Sequence, residues 1–425
     1  MRHQLLTALA AATIASSLAA VVPRSVTASK QVVIHVDDGA APGGDGGGRS
    51  PYRTLADAVA AARARSTAVV IKVEPGDYPL TAPLVIDFAL DLRGSTEQVV
   101  TDDDPWPSGV VVTGTETRVF ATSAVGSQPL VRVGRADSVV ISDVSIRGFA
   151  FEGTATGIEM LLTRVQGYRI TDNVFRAPAS FAVQSVASSG QVTGNHFSGV
   201  GTGVIFNGGY PGSPSNVVAA GNRAVNNSIG GILLNGVSIN LPELGDELHA
   251  VVRGNDLSNN VGNQGFGLRI FILRRDAGAP GDTQSSARIH ALALDNRIDG
   301  NRIGVMLDAG FPYRSVGDVC DPRVFSGTID VDFVGNTLTN SLTRPALITF
   351  TRNIAALNPS ILPLWQYLHD ATFDISDVDG SLADAWIDHP ATDPFVGSCP
   401  GDATHESLGN VLIYNGEVLA NGRNF

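Results

Sequence analysis

The chain has 425 residues and a formal net charge of −12, from 41 Asp and Glu against 29 Lys and Arg. An acidic surface whose only lysines are Lys30 and Lys72 argues against a nucleic-acid partner, because phosphates are held by clustered cations. With 47 glycines and only 16% charged residues among alternating Val, Ile and Leu, the composition excludes a disordered chain and suits a turn-rich all-β protein.

Arg2 and His3, an apolar stretch from Leu5 to Val22 and the small-residue site Val26-Thr27-Ala28 follow the order of an export signal over residues 1–28. A membrane anchor is the competing reading; the Ser and Thr interruptions and the cleavage-like site favour export to the cell envelope or beyond. No later segment is long and apolar enough to span a bilayer. Residues 29–425 read as one domain, with a cap over about 31–92, a repetitive core over about 93–350 and a covering segment over 351–425. Gln31 to Asp37 alternates as a strand, and the run Gly39 to Gly48 follows as a turn whose Asp45 fits no calcium-loop spacing. From Thr54 the residues TLADAVAAARAR predict a helix, with Thr54 and Asp57 as a capping pair and Leu55, Ala58, Val59 and Ala62 as its apolar face.

Ala68 to Val73, the EPGDY turn at Glu74 to Tyr78 and Leu84 to Leu92 read as strand, tight turn and strand, and Val110 to Val112, Leu130 to Val133 and Val139 to Ile146 as further strands. From Asp172 a phrase recurs: DNVF, GNHF, GNRAV, GNDL, DNRI and GNTL place Asn173, Asn195, Asn222, Asn255, Asn296 and Asn336 at gaps of 22, 27, 33, 41 and 40 residues. After each Asn comes an apolar run opened by a small residue, such as GVIF from Gly203 or GLRIF from Gly267. The repeat predicts a three-strand coil that buries its inner face only by stacking on the next coil. Asn at a fixed turn tolerates a left-handed backbone, and its amide can bond the Asn above and below in a structural ladder.

These repeats, and the opening order of glycine-rich loop, RTLADAVAAA helix, strand and EPGDY, resemble the right-handed parallel β-helix proteins of the pectin-lyase-like superfamily over roughly residues 31 to 350. The resemblance implies an all-β, three-sheet solenoid with an N-terminal capping helix and an irregular C-terminal tail. It also implies an extracellular polysaccharide as partner, and leaves open whether the protein cleaves it as a lyase or hydrolase or is a non-catalytic envelope or adhesion protein.

Insertions at Gly209 to Ser215, Val237 to His249, Arg274 to Ser286 and Phe311 to Gly327 recur at one corner of the repeat and predict a wall of loops beside one sheet. On the strand before that corner, alternation turns Ile158, Val183, Val204, Ile232, Leu268, Val305 and Leu347 inward. Glu159, Gln184, Ile205, Leu233, Arg269, Met306 and Ile348 then face outward, followed two positions later by Leu161, Val186, Asn207, Asn235, Phe271, Asp308 and Phe350. Asn207, Asn235 and Phe271 are the expected sugar-binding groups. In lyases that resemble this fold an Arg or Lys serves as base beside a uronate carboxylate, often near calcium, which makes Arg269 and Asp308 the catalytic candidates; an ordinary ion pair is the competing account. Arg as a base needs a strongly lowered pKa, which a neighbouring Asp opposes.

Hydrolysis needs two carboxylates across a groove, and Glu159 and Asp308 fall several coils apart. Asp246, Glu247, Asp276 and Asp282 fall in the insertions, while Asp295 and Asp299 read as turn residues of the ladder. His196, His249 and His290 are spread over different coils without metal-ligand spacing, so no metal or cofactor is expected, and calcium has no motif to support it. Cys320 and Cys399 are the only cysteines and predict one disulfide in an exported chain; two unpaired thiols stay open. Nothing in the sequence fixes an oligomeric state.

Overall fold

The computed structural model describes residues 31–65, 67–100, 110–113, 116–135, 137, 139–176, 179–209, 213–236, 247–262, 265–275, 286–313, 326–342 and 344–349, with short strands at 372–375, 378–379, 386–388, 411–414 and 417–421. The segment expected to be an export signal, both cysteines and most of the insertions lie outside the described residues.

Alternating apolar residues make short strands, and each strand pairs in parallel with its counterpart one coil away, giving three sheets around one lumen. The first sheet runs from Val32–Val36 through Val165–Thr171, Ser215–Ala220, Glu247–Arg253 and Ser286–Leu294 to Ser326–Val334. The second follows the Asn turn, from Gly76–Leu80 to Arg223–Val225, and resumes at Arg297–Asp299 through single bridges at Asp256. The third holds Ile158–Thr163, Phe181–Val186, Thr202–Asn207, Gly230–Asn235, Phe266–Arg275 and Ile303–Tyr313. Val110–Val112 belongs to none of them: Val110–Thr113 pairs antiparallel with Glu97–Val100 as a hairpin, which corrects its expected place in a coil. Past residue 350, Thr372–Ile375, Val378–Asp379 and Trp386–Asp388 each add a parallel strand to one of the three faces.

The lumen is filled in columns. Phe151, Phe175 and Phe197 stand in register and stack at centroid separations of 5.2 and 5.0 Å, each less than 2% exposed. Offset stacks of this kind add about 0.5–1.5 kcal/mol per pair to the apolar burial itself. Helix α1, Leu55–Arg63, packs on the first coil with Leu55, Ala58, Val59 and Ala62 buried; the Thr54 hydroxyl oxygen accepts from the Asp57 N–H at 3.1 Å and caps it. The helix thereby covers apolar side chains that the first coil, lacking a neighbour, would leave in water.

Two corners are fixed by amides. Asn173, Asn195, Asn222, Asn255, Asn296 and Asn336 are all buried, and each of the first five donates from both its backbone N–H and its Nδ2 to the Oδ1 of the next, at 2.7–3.1 Å. The left-handed backbone falls not on these Asn but on the residue before each: Asp172, Gly194, Gly221, Gly254, Asp295 and Gly335 have φ between 50° and 65°. That corrects the conformational reason expected for Asn and explains why the phrase is always Gly-Asn or Asp-Asn: the first residue bends the chain, the second bonds along the stack. A second ladder, which the repeat reading missed, runs through the buried Asn227, Asn260 and Asn301 at the next corner, again behind left-handed residues Asn226, Asn259 and Gly300. Its signal was in the sequence, each member lying five residues after an Asn of the first ladder.

Candidate functional site

The third sheet presents the expected face. Leu161, Gln184, Ile205, Leu233, Arg269 and Met306 stand in one register column, and Thr163, Val186, Asn207, Asn235, Phe271 and Asp308 in the next outward one. Arg269 and Phe271 are therefore neighbours along one strand, with the guanidinium carbon 4.4 Å from the centre of the Phe271 ring. Asn235 Nδ2 donates to Asn207 Oδ1 at 2.8 Å, and Asn207 Nδ2 donates to the Ser185 carbonyl at 3.3 Å. Asn235 Oδ1 is shielded from solvent and accepts no hydrogen bond. Backbone register places Asp308 opposite Phe271 rather than Arg269; its side chain lies outside the described part, as does Phe350.

Glu159 is not on this face. Met160, not Ile158, stands opposite Val183, so Glu159 falls at the corner position that Ala182, Gly203, Gly231, Gly267 and Gly304 fill in later coils. It is fully buried, its Oε1 accepts from the Gly153 N–H at 2.9 Å, and its Oε2 has no partner. Burial first, then the nearby Glu152 charge, pushes its pKa well above the usual carboxylate range, which favours the protonated form. At the far end Leu347 stands opposite Met306, in the outward column rather than the inward one, a one-residue slip that alternation turns into the opposite face. No described side chain in the two outward columns is a carboxylate.

Glu247 and His249, expected in an insertion, lie on the strand Glu247–Arg253 of the first sheet. Leu248 and Ala250 point into the lumen, so Glu247 and His249 face outward at the corner where the insertions leave and return. His249 stands directly opposite His290 on the next strand, ring centroids 5.1 Å apart and edge to face, and Glu247 Oε1 lies 2.8 Å from His249 Nε2. That bond, helped by the charges of both histidines and Arg288, lowers the Glu247 pKa. The expectation that the histidines are too dispersed to act together holds for His196 and fails for this pair, because one coil of the stack spans 41 residues of sequence yet only ~4.8 Å of space. Asp299 accepts from Arg297, Thr339 and Asn340 at 2.7–3.0 Å, a turn arrangement without access to either outward column.

A cleft of 430 Å³ lies at the N-terminal end among Asp38, Arg53, Thr54, Asp77 and Tyr78. It is remote from Arg269: Val85 and Arg269 share a register column six strands apart, roughly 29 Å at ~4.8 Å per step.

Three parallel faces wound by one chain around a stacked lumen define a parallel β-helix. The chain belongs to the family described as protein of unknown function (DUF1565), which matches residues 38–265. No protein of curated function matches it. Similar solved structures include a rhamnogalacturonan lyase, 14% identical over 84% of each chain with a TM-score of 0.43. The catalytic domain of a GH87 α-1,3-glucanase is 11% identical over 92% of this chain and 69% of that one, with a TM-score of 0.37. The A-module of the Azotobacter vinelandii mannuronan C-5 epimerase AlgE4 is 12% identical over 78% and 89%, with a TM-score of 0.34. At these identities no residue role carries across from any of them.

Proposed function

We propose that the protein is exported and binds an extracellular acidic polysaccharide along the outward face of the third sheet, centred on Arg269. The observation that carries the reading is the arrangement of Arg269 over Phe271 beside Asn235, whose Oδ1 accepts no hydrogen bond. A guanidinium held over a ring offers charge to a uronate carboxylate, the ring, itself only 9% exposed, backs the guanidinium rather than meeting the sugar, and a shielded acceptor gains most from a hydroxyl donor. Asn207 fixes the Asn235 amide and so orients that acceptor. The planar, positively charged guanidinium of Arg269 suits carboxylate binding.

Binding without cleavage is the reading that a guanidinium at the centre of the face supports, since a lyase base must give up its proton and arginine in proteins keeps it. The test offers purified protein a panel of acidic and neutral glycans, measuring binding by calorimetry while following unsaturated uronates by ultraviolet absorbance and reducing ends by colorimetry. Binding of an acidic glycan with both product signals flat is expected. Arg269→Ala should abolish that binding with a melting temperature within about 2 °C of wild type, because a half-exposed side chain of this kind contributes at most ~1 kcal/mol to stability. Equal binding by wild type and Arg269→Ala refutes the site, and a rise in either product signal replaces binding with catalysis.

A further inference from the structure

We propose that Glu247, His249 and His290 form a binding site for one divalent transition-metal ion of the zinc class on the outward face of the first sheet, separate from the glycan face on the third. Each residue offers one ligand atom, and the three atoms all lie within 4.8 Å of one another. Ligands bound ~2.0–2.1 Å from a tetrahedral zinc stand about 3.3 Å apart. The Glu247 oxygen and the His249 nitrogen are at 2.8 Å and no pair of the three atoms is beyond 4.8 Å, so small side-chain rotations toward a shared ion reach that spacing.

The backbone positions are set before any ion arrives. Glu247 and His249 are two residues apart on one strand, so the pleat sends both to the same face. His290 comes from the neighbouring strand, which is aligned with the first by seven consecutive register pairs from Glu247↔Arg288 to Arg253↔Leu294. Leu248 and Ile289 between them are fully buried and anchor both strands in the lumen. Two imidazoles and one carboxylate are the donor set of zinc and its neighbours, whereas calcium takes six to eight oxygens. All three side chains are half-buried, so positions beyond these three ligands are open to water or to an oxygen of a bound molecule. Arg288, opposite Glu247 in the register, is the one described cation beside the site; it is exposed and can turn into solvent when an ion takes its place near the carboxylate.

The test uses untagged full-length protein stripped with a chelator and titrated by calorimetry with zinc chloride and, separately, calcium chloride. One equivalent of zinc should bind, with calcium unable to compete. His249→Ala and His290→Ala should each bind zinc at least about tenfold more weakly, the smallest effect that losing even a residue supporting a metal ligand produces. Both metal-free variants should match the metal-free wild type in circular dichroism. Cobalt(II) in the wild type should give the intense visible bands of a four-coordinate ion, a readout that stands even where a variant fails to fold. No zinc binding by wild type, equal affinity in folded variants, competition by calcium, or only the faint spectrum of six-coordinate cobalt each overturns the proposal.

Discussion

Replacing Asn255 by Ala tests whether stacked amides hold the coils together. The side chain is fully buried and makes four hydrogen bonds: Oδ1 accepts from Asn222 N at 2.9 Å and Asn222 Nδ2 at 3.0 Å, and Nδ2 donates to Ala219 O at 3.0 Å and Asn296 Oδ1 at 2.8 Å. Alanine removes all four. Asn222 Nδ2 keeps the Val192 carbonyl, and Asn296 Oδ1 still accepts from the backbone N–H of residue 255, but the buried Asn222 N–H loses its acceptor. About 1 kcal/mol for each of the other three bonds, with about 1–3 kcal/mol for the orphaned buried donor, gives an expected loss of roughly 4–6 kcal/mol. Asn340→Ala is the control: that amide is exposed and donates to Asp299, and because its backbone has a φ of 51°, which alanine adopts only at a cost, the change should cost about 2 kcal/mol. Denaturant unfolding gives the global values, and hydrogen exchange should show the Asn222 amide and its neighbouring coils opening faster, because coils are coupled mainly to their neighbours. A loss below ~1 kcal/mol for Asn255→Ala, or one no greater than for Asn340→Ala, refutes the reasoning.

Two further predictions concern pH. Glu159 keeps its proton in the fold above the value of 4.5 at which the unfolded carboxyl releases it, so unfolding releases a proton and stability falls as pH rises, by about 1.4 kcal/mol per unit up to the folded pKa. Glu159→Gln cannot ionise, so the stability of wild type minus that of the variant should decline from pH 5 to pH 7; a flat difference would show that Glu159 is charged in the fold. His196 behaves in the opposite sense: burial, then the charges of Arg223 and Arg176, lower its pKa to about 4 from 6.5, so unfolding takes up a proton between those values and acid destabilises the fold by up to about 3 kcal/mol. Nuclear magnetic resonance should find the His196 ring neutral at pH 5, and a protonated ring there would contradict the assignment.

The alternation of apolar residues, the recurring Gly-Asn and Asp-Asn phrases and the Thr54 capping pair determined the solenoid, its turns and its capping helix, because each depends on chemistry within a few residues along the chain. The same alternation set Arg269 and Phe271 on the outward face, where their strand places them. The second amide ladder was legible too, at a fixed offset of five residues from the first. Register across coils was not, since coils of 22 to 41 residues carry insertions that local pattern cannot weigh. A corner residue breaks the alternation at Glu159, and only its position in the stack shows that it replaces the small residues of later coils and is buried as an acid. His249 and His290 read as dispersed in sequence because the distance that matters is the ~4.8 Å between stacked strands, which backbone hydrogen bonding between coils decides and no local periodicity encodes.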